Sequence, residues 1–400
     1  MCRYFWFDPC FSGCNGGGAN RIPTLAKITQ YIKNPTLKSR DNVSGNITPI
    51  PEKCRLFRRF RYTEFMQTIE PLRFGTIEVR PPVIQAALSG YSDAPMRKIA
   101  RKLGCEFALC EVMLDQFVVA VSKRKSRLYF AESDEHPIGA QLMGSEPGQF
   151  VRAAQRLADE GFDLIDLNFA CPVKKVLGRH RGGYLMSDPK AALDIVQAVR
   201  QNIPDTVPLT LKLRKGFDDL PESRKRFFEI LDGAADQGIC AVIVHGRTVR
   251  QRYEGESDWD FIREVKQHLV AKNRPDIAVV GSGDLFSAEV CVQRLSESGV
   301  NGLALARGVI GNPWLFQEVS ALLNGQPKPV SPSLDEQRDV LAEHFYLSAQ
   351  LYGERRAATT MRAFGVKYCL LHPHSEQVRQ DLVKVKTAVD WNGVLEKWYR

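Results

Sequence analysis

No uninterrupted apolar stretch in this 400-residue chain approaches the roughly 18 residues that a membrane-spanning helix needs. The N-terminus also lacks the basic-then-apolar order of a secretion signal. These two absences lead us to expect a cytoplasmic protein without a membrane partner. Cysteine is sparse and scattered: ten residues, none in the paired spacing of metal sites, and too few for a disulfide scaffold in a chain of this length. Reduced thiols and no bound metal are the expectation. Acidic residues are in deficit, with 46 Asp and Glu against 55 Lys and Arg, a net charge of +9. The excess sits mostly at one end, since residues 1–65 hold 11 basic and 4 acidic residues and the remainder is nearly neutral. A general polyanion-binding reading therefore fails, and any nucleic-acid contact must rest on local patches. What is present, 44% hydrophobic and 25% charged residues, describes a globular chain with a substantial core.

Residues 1–65 carry Gly16-Gly17-Gly18, polar runs such as Asn42–Asn46 and no apolar periodicity, so no fold is assigned to them. They read as a disordered or mis-assigned extension ahead of Met66. From residue 77 onward short apolar runs alternate with longer amphipathic segments, the pattern of repeated βα units. Strands are expected at Val83–Ala87, Phe107–Glu111, Ile138–Leu142, Leu164–Asn168, Leu209–Leu213, Ala241–His245, Ile277–Val280 and Gly302–Ala306. Helical spacing marks Gln149–Glu160, Ala191–Arg200, Ser223–Gln237 and Asp260–Leu269. Eight such units predict an α/β TIM (β/α)8 barrel over residues 66–325. A proline-rich linker (326–333) follows, and then a small C-terminal α-helical domain over residues 334–400.

Strand C-terminal ends feed the catalytic loops of such a barrel, so the polar residues there are the site candidates. Cys171 stands where the run beginning at Leu164 breaks into Asp166-Leu167-Asn168-Phe169-Ala170-Cys171-Pro172-Val173-Lys174-Lys175. Pro172 restrains the backbone of the thiol before it. Asn168 ends the same strand, Gln141, Lys212, His245, Arg247 and Arg307 end others, and all point to one mouth. An ammonium at Lys212, inside Leu209-Thr210-Leu211-Lys212-Leu213, must find a partner or a cavity. His245, taken singly, reads equally as a core histidine. Gly281-Ser282-Gly283-Asp284 and Ala306-Arg307-Gly308 follow the last two strands, where barrels commonly hold a phosphate on backbone amides. Three basic clusters flank the mouth: Lys123, Arg124, Lys125 and Arg127; Lys174, Lys175, Arg179 and Arg181; and Arg247, Arg250 and Arg252. Arg355, Arg356, Arg362 and Lys367 extend the track into the helical segment.

The strings DLNFACPVKKV, LTLKLRKGF, IVHGRT, GSGDL and ALARGVIGNPWLF, in that order, closely resemble the tRNA-dihydrouridine synthase family, nearest its bacterial B-type branch. The likeness runs from about Gly75 to the C-terminus. It implies an FMN-bearing barrel, reduced by NADPH, that converts tRNA uridines to 5,6-dihydrouridine, with the helical domain gripping the tRNA. It further implies that Cys171 protonates uridine C5 while the flavin delivers hydride to C6. A protonated thiol near the developing charge lowers the barrier to such an addition. By the same resemblance Ala87, Leu88, Ser89, Gln141, Lys212 and His245 meet the flavin ring, and Ser282, Gly283, Asp284, Ala306 and Arg307 hold its phosphate. Asn168, Lys174, Lys175, Arg179, Arg247, Arg355 and Arg356 are assigned to the RNA, with Asn168 against the pyrimidine.

The chain departs from the family pattern at several points. Ala86-Ala87-Leu88-Ser89-Gly90 stands for Ala-Pro-Met-Ala-Gly, Ala170 for Gly, Leu177 and Ser282 for Asn, and Ala306 for Gly. Two other readings stay open on the residues alone. One is an FMN barrel reductase of a free pyrimidine or small enone, and the other is a tRNA-binding homologue that has lost catalysis. A chain beginning at Met66 is expected to fold and work like the full one, checked by solubility and tRNA affinity of the truncated protein.

Overall fold

Strands in this chain are written as Val, Ile and Leu runs, and the helices between them open on proline or on an Asp, Ser or Thr cap. The structure, a computed structural model, describes residues 69–122, 131 and 134–400. The basic extension over residues 1–65 and the cluster Lys123, Arg124, Lys125 and Arg127 lie outside the described residues. Two antiparallel strands, β1 (Leu72–Phe74) and β2 (Ile77–Val79), come first, joined by a turn in which Gly75 takes φ +58°. Parallel strands follow: β3 (Val83–Gln85), β4 (Ala108–Leu109), β5 (Met113–Leu114), β6 (Ile138–Met143), β7 (Leu164–Asn168), β8 (Leu209–Arg214), β9 (Ala241–His245), β10 (Ala278–Ser282) and β11 (Gly302–Leu305). Their order is β4-β3-β11-β10-β9-β8-β7-β6-β5, and the additional β4–β6 pairing closes the sheet into an eight-stranded barrel.

Strand positions agree closely with the sequence reading except at the second, expected as one run over Phe107–Glu111. There β4 leaves the ladder after Leu109, and the chain rejoins β6 as β5. Leu109 pairs with Gly139 and Met113 with Leu142, so four steps on one strand oppose three on the other, which is a bulge. Glu111, inside the bulge, accepts the Gly90 amide at 2.6 Å.

The helices that ring the barrel are α1 (Ala94–Lys102), α2 (Asp115–Ala120), α3 (Pro147–Asp159), α4 (Lys174–Leu177), α5 (Pro189–Asn202), α6 (Pro221–Asp236), α7 (Trp259–Ala271), α8 (Ala288–Ser298) and α9 (Leu315–Leu323). Strand alternation divides the core. Ile165, Leu167, Leu211, Val242 and Val279 face the helices, while Ile84, Leu164, Ile243, Val280 and Ala304 fill the barrel interior. The β1–β2 hairpin closes the N-terminal end. Its Leu72, Phe74 and Val79 join the interior cluster, and Phe74 packs on Phe107 with ring centroids 5.3 Å apart.

After the proline-rich segment, a capping box between Ser333 and Glu336 starts α10 (Leu334–Tyr352), followed by α11 (Glu354–Tyr368), α12 (Ser375–Leu382) and α13 (Ala388–Trp398). This helical segment lies directly on the barrel. Tyr352 donates its hydroxyl to Asp93, the N-cap of α1, at 2.9 Å, and Tyr91 meets Phe364 edge-on at 5.2 Å. Trp314 meets Tyr368 at 6.3 Å, so α11 backs the loops after both β3 and β11.

One close approach in the wall tests the packing. A Cβ on Gly281 of β10 would lie 2.5 Å from the Trp259 ring of α7, and Trp259 donates its indole N–H to the Gly283 carbonyl at 3.1 Å. Overpacking of this kind costs about 1–3 kcal/mol. Gly281→Ala is therefore expected to lower the free energy of unfolding by that amount, read from urea denaturation as a lower midpoint.

Candidate active site

The barrel interior is apolar at the hairpin end and polar at the other, because inward positions along each strand change from Leu, Ile and Ala to Gln, Asp, Asn, Lys and His. A chain of hydrogen bonds crosses this polar layer. Thr210 on β8 donates to Asp166 on β7 at 2.7 Å, and Gln141 on β6 donates to the other Asp166 oxygen at 2.6 Å. Asn168 donates to Gln141 Oε1 at 2.6 Å, and its own Oδ1 accepts the backbone N–H groups of Ala170 and Cys171, each at 3.0 Å. All four side chains are buried. The chain ends on the backbone of the thiol, so Asn168 fixes the loop that carries Cys171. Gly183 N–H donates back to the Cys171 carbonyl at 3.0 Å and closes that loop from the other side.

Cations surround the chain. Lys212 alternates with Thr210 on β8 and is half-buried, and among the described residues its ammonium has no hydrogen-bond or ion-pair partner. Burial pushes its pKa down to about 8, while the Asp166 charge pulls the other way. Asp166 is itself raised by burial, opposed by its two donors and by Lys212. Arg214 is buried over the Tyr253 ring, 5.8 Å from its centroid, and donates to carbonyls: Nε to Ala170 at 2.9 Å, and Nη1 to Thr248 at 2.9 Å and Arg252 at 2.8 Å. Desolvation lowers its pKa to about 10. His245 is held well below its ordinary value, first by burial and then by Arg214, Lys212, Arg247 and Arg307. Its Nδ1 accepts the Arg247 amide N–H at 3.2 Å, so the neutral ring carries its proton on Nε2.

The residues after the last strands are arranged differently from expectation. Arg247, assigned above to the RNA, is 2% exposed and forms a bidentate pair with Asp284 at 2.9 and 2.6 Å. A guanidinium sealed against a carboxylate is wall rather than open cation, and that assignment is corrected. Asp284 also accepts the Ser257 amide at 2.9 Å, and its carboxyl sits below the usual range despite burial. Arg307 reaches Asp284 at 3.4 Å and lies between two rings, 4.5 Å from Tyr253 and 5.3 Å from Phe286. The Ser282 hydroxyl donates to the Ala304 carbonyl at 3.0 Å. Ala87, Leu88 and Ser89 are half-buried at the end of β3, where Leu88 N–H donates to Ser92 Oγ at 2.8 Å. Lys174, Lys175 and Arg179 are exposed on the loop beyond Cys171. Arg355 and Arg356 are exposed on α11, Arg356 over the Tyr352 ring at 5.0 Å.

Sequence reasoning missed Asp166, Thr210, Arg214 and Tyr253. The first three share a signal, since each lies two residues from a chosen strand residue and so on the same face. Asn168→Ala would strand the Ala170 and Cys171 amides, a loss of about 1–3 kcal/mol. It is expected to lower thermal stability accordingly, with Asn168→Asp in between, because Asp keeps the acceptor and loses the donor to Gln141.

Comparison with known proteins agrees with this geometry. The family model "Dihydrouridine synthase (Dus)" matches residues 84–398. A probable tRNA-dihydrouridine synthase of Mycobacterium tuberculosis (strain ATCC 25618 / H37Rv) is 32% identical over 341 residues, 83% of this chain and 86% of its own. One from Rickettsia prowazekii (strain Madrid E) is 33% identical over 82% of this chain and 97% of its own, and tRNA-dihydrouridine synthase B of Shewanella oneidensis is 32% identical over 82% and 98%. Among solved structures, histamine dehydrogenase from Rhizobium sp. 4-9 superposes with a TM-score of 0.51 at 15% identity, covering 72% of this chain and 51% of its own, a likeness of fold. The family match spans barrel and helical segment together, and the Rickettsia and Shewanella relatives are covered over 97% and 98% of their own length: this chain belongs to the dihydrouridine synthase family.

Proposed function

We propose that the protein reduces uridine to 5,6-dihydrouridine in tRNA, with FMN as the bound cofactor and NADPH as its reductant. The observation that carries this reading is the half-buried Lys212 ammonium, without a hydrogen-bond or ion-pair partner among the described residues, beside a hydrogen-bond chain that ends on the Cys171 backbone. A desolvated cation left unpaired is costly unless an anionic ligand meets it. Lys212, Arg214 and His245 form a mouth whose charge and donors suit an electron-rich aromatic group bearing a phosphate.

Ala87, Leu88, Ser89, Gln141, Lys212 and His245 would hold the ring. Lys212 favours negative charge beside it, and neutral His245 offers its Nε2–H as a donor. The amides of Ser282, Gly283, Asp284, Ala306 and Gly308, with Arg307, would hold the phosphate. Asp284 occupies Arg247 and part of Arg307 there, so the backbone N–H groups carry more of that contact than the guanidinium. When bound there, the reduced cofactor would supply the hydride for uridine C6.

Cys171 gives its Sγ proton to C5, and its loop, fixed by Asn168 and Gly183, keeps that proton on one side of the base. Asn168 has a second amide hydrogen beyond the one given to Gln141, available to a pyrimidine carbonyl. A uridine stacked in RNA must be extruded to reach this depth, and Lys174, Lys175 and Arg179 stand where the flanking phosphates would lie. Arg355 and Arg356 on α11 would lengthen the grip.

The visible spectrum tests the reading. Purified protein is expected to show flavin bands that bleach on anaerobic addition of NADPH and recover on addition of unmodified tRNA. Recovery with free uracil instead would mean a small-molecule reductase, and a protein that binds tRNA but stays colourless after soaking with FMN would mean an RNA-binding protein without catalysis. Cys171→Ala is expected to keep flavin and tRNA binding while dihydrouridine formation falls by about 100- to 10,000-fold, the usual contribution of a positioned acid. Dihydrouridine yield by mass spectrometry of the treated tRNA checks it.

A further inference from the structure

The loop between Cys171 and the 3-10 turn Gly182–Ser187 folds as a tight arch. One turn of helix, α4, rises from the thiol, and the chain returns through backbone bonds from Gly178 to Lys174, from His180 to Leu177 and from Arg181 to Val176. Gly182 then packs back on the start of the arch, where a Cβ would lie 2.8 Å from Cys171 Cβ. At the top stands His180 with φ +54°, a left-handed backbone that glycine adopts freely and a ring-bearing residue adopts at a cost.

The imidazole is exposed, yet it is not adrift: it stacks on Tyr184 with centroids 4.3 Å apart and planes 24° from parallel. Tyr184 is itself held in the 3-10 turn, its carbonyl accepting Ser187 Oγ–H at 2.7 Å. One ring face is covered by Tyr184, so the exposure falls on the other face and the edge. His180 is two positions along the chain from Gly182, the glycine that touches Cys171, at most about 7 Å of chain. Lys174, Lys175 and Arg179 are exposed on the same arch.

We propose that the His180–Tyr184 stack is a base-stacking platform for the nucleotide beside the reduced uridine, with the cations of the arch on the phosphates to either side. The inference rests on the functional reading above. Extruding a uridine removes a stacking partner from its neighbour. A fixed imidazole face near the thiol's loop replaces that partner at the moment of extrusion, and the stack on Tyr184 holds the ring in place. Aromatic stacking is tolerant of base identity, because every base has a π-face. The platform therefore favours the flipped-out geometry and does not read the neighbour's sequence.

Three variants of the flavin-loaded protein test this: His180→Ala, His180→Phe and His180→Gly. Loss of a stacked base lowers kcat/KM for tRNA about tenfold in His180→Ala. The rate of flavin reduction by NADPH stays as in wild type, and His180→Phe restores most of the loss. His180→Gly is the decisive case: with the positive φ relieved its melting temperature holds or rises, while its kcat/KM falls with that of His180→Ala. Unchanged kcat/KM in His180→Ala, or a loss in His180→Phe as large as in His180→Ala, overturns the platform. Wild-type protein that forms no dihydrouridine in tRNA overturns the functional reading, and the platform with it, whereas wild-type turnover with an indifferent His180→Ala removes the platform alone.

Discussion

Asp166 is a carboxylate inside a barrel, and its burial is tolerable because Thr210 and Gln141 each donate to one of its oxygens. Those two bonds set a direction. With Gln141 Nε2 committed to Asp166, its Oε1 must turn to Asn168, and Asn168 in turn must present its own oxygen to the Ala170 and Cys171 amides. The reactive loop is thus oriented from the barrel centre outward by a series of amide orientations, each forced by the one before. The same carboxylate acts on the Lys212 ammonium through space, so one buried anion bears on both the thiol's backbone and a neighbouring cation.

Around that anion the site is markedly cationic, and the structure distributes its cations into two kinds. Arg247 is neutralised by Asp284 and serves the wall, while Lys212 and Arg214 lack carboxylate partners among the described residues. Burial, and after it the charges of Arg214, Lys212, Arg247 and Arg307, depress His245 and keep its ring neutral, which turns a group that would otherwise add charge into a directional donor. Structure and electrostatics here divide the labour between holding the loops and meeting a ligand.

Much of this was legible in the sequence, and the reasons for the gaps are physical. The barrel could be read because buried parallel strands are written as apolar runs and the helices between them as amphipathic ones. Cys171, Asn168, Lys212 and His245 could be read because strand ends on that face carry the site. The β1–β2 hairpin could not, since three-residue strands fall below any periodicity, nor could the bulge at Glu111, which depends on register with β6. Arg247 misled because a sequence shows a cation and hides its partner: Asp284 lies 37 residues away. Asp166 and Arg214 escaped notice although strand alternation places them on the faces of Asn168 and Lys212.

The hairpin plug gives the barrel two ends with separate duties. Leu72, Phe74 and Val79 pack into the apolar interior at the N-terminal end, while the polar layer and the loop that carries Cys171 lie at the other. A change at the plug therefore acts on the barrel's stability and a change at the opposite end on its chemistry, so the two can be altered independently.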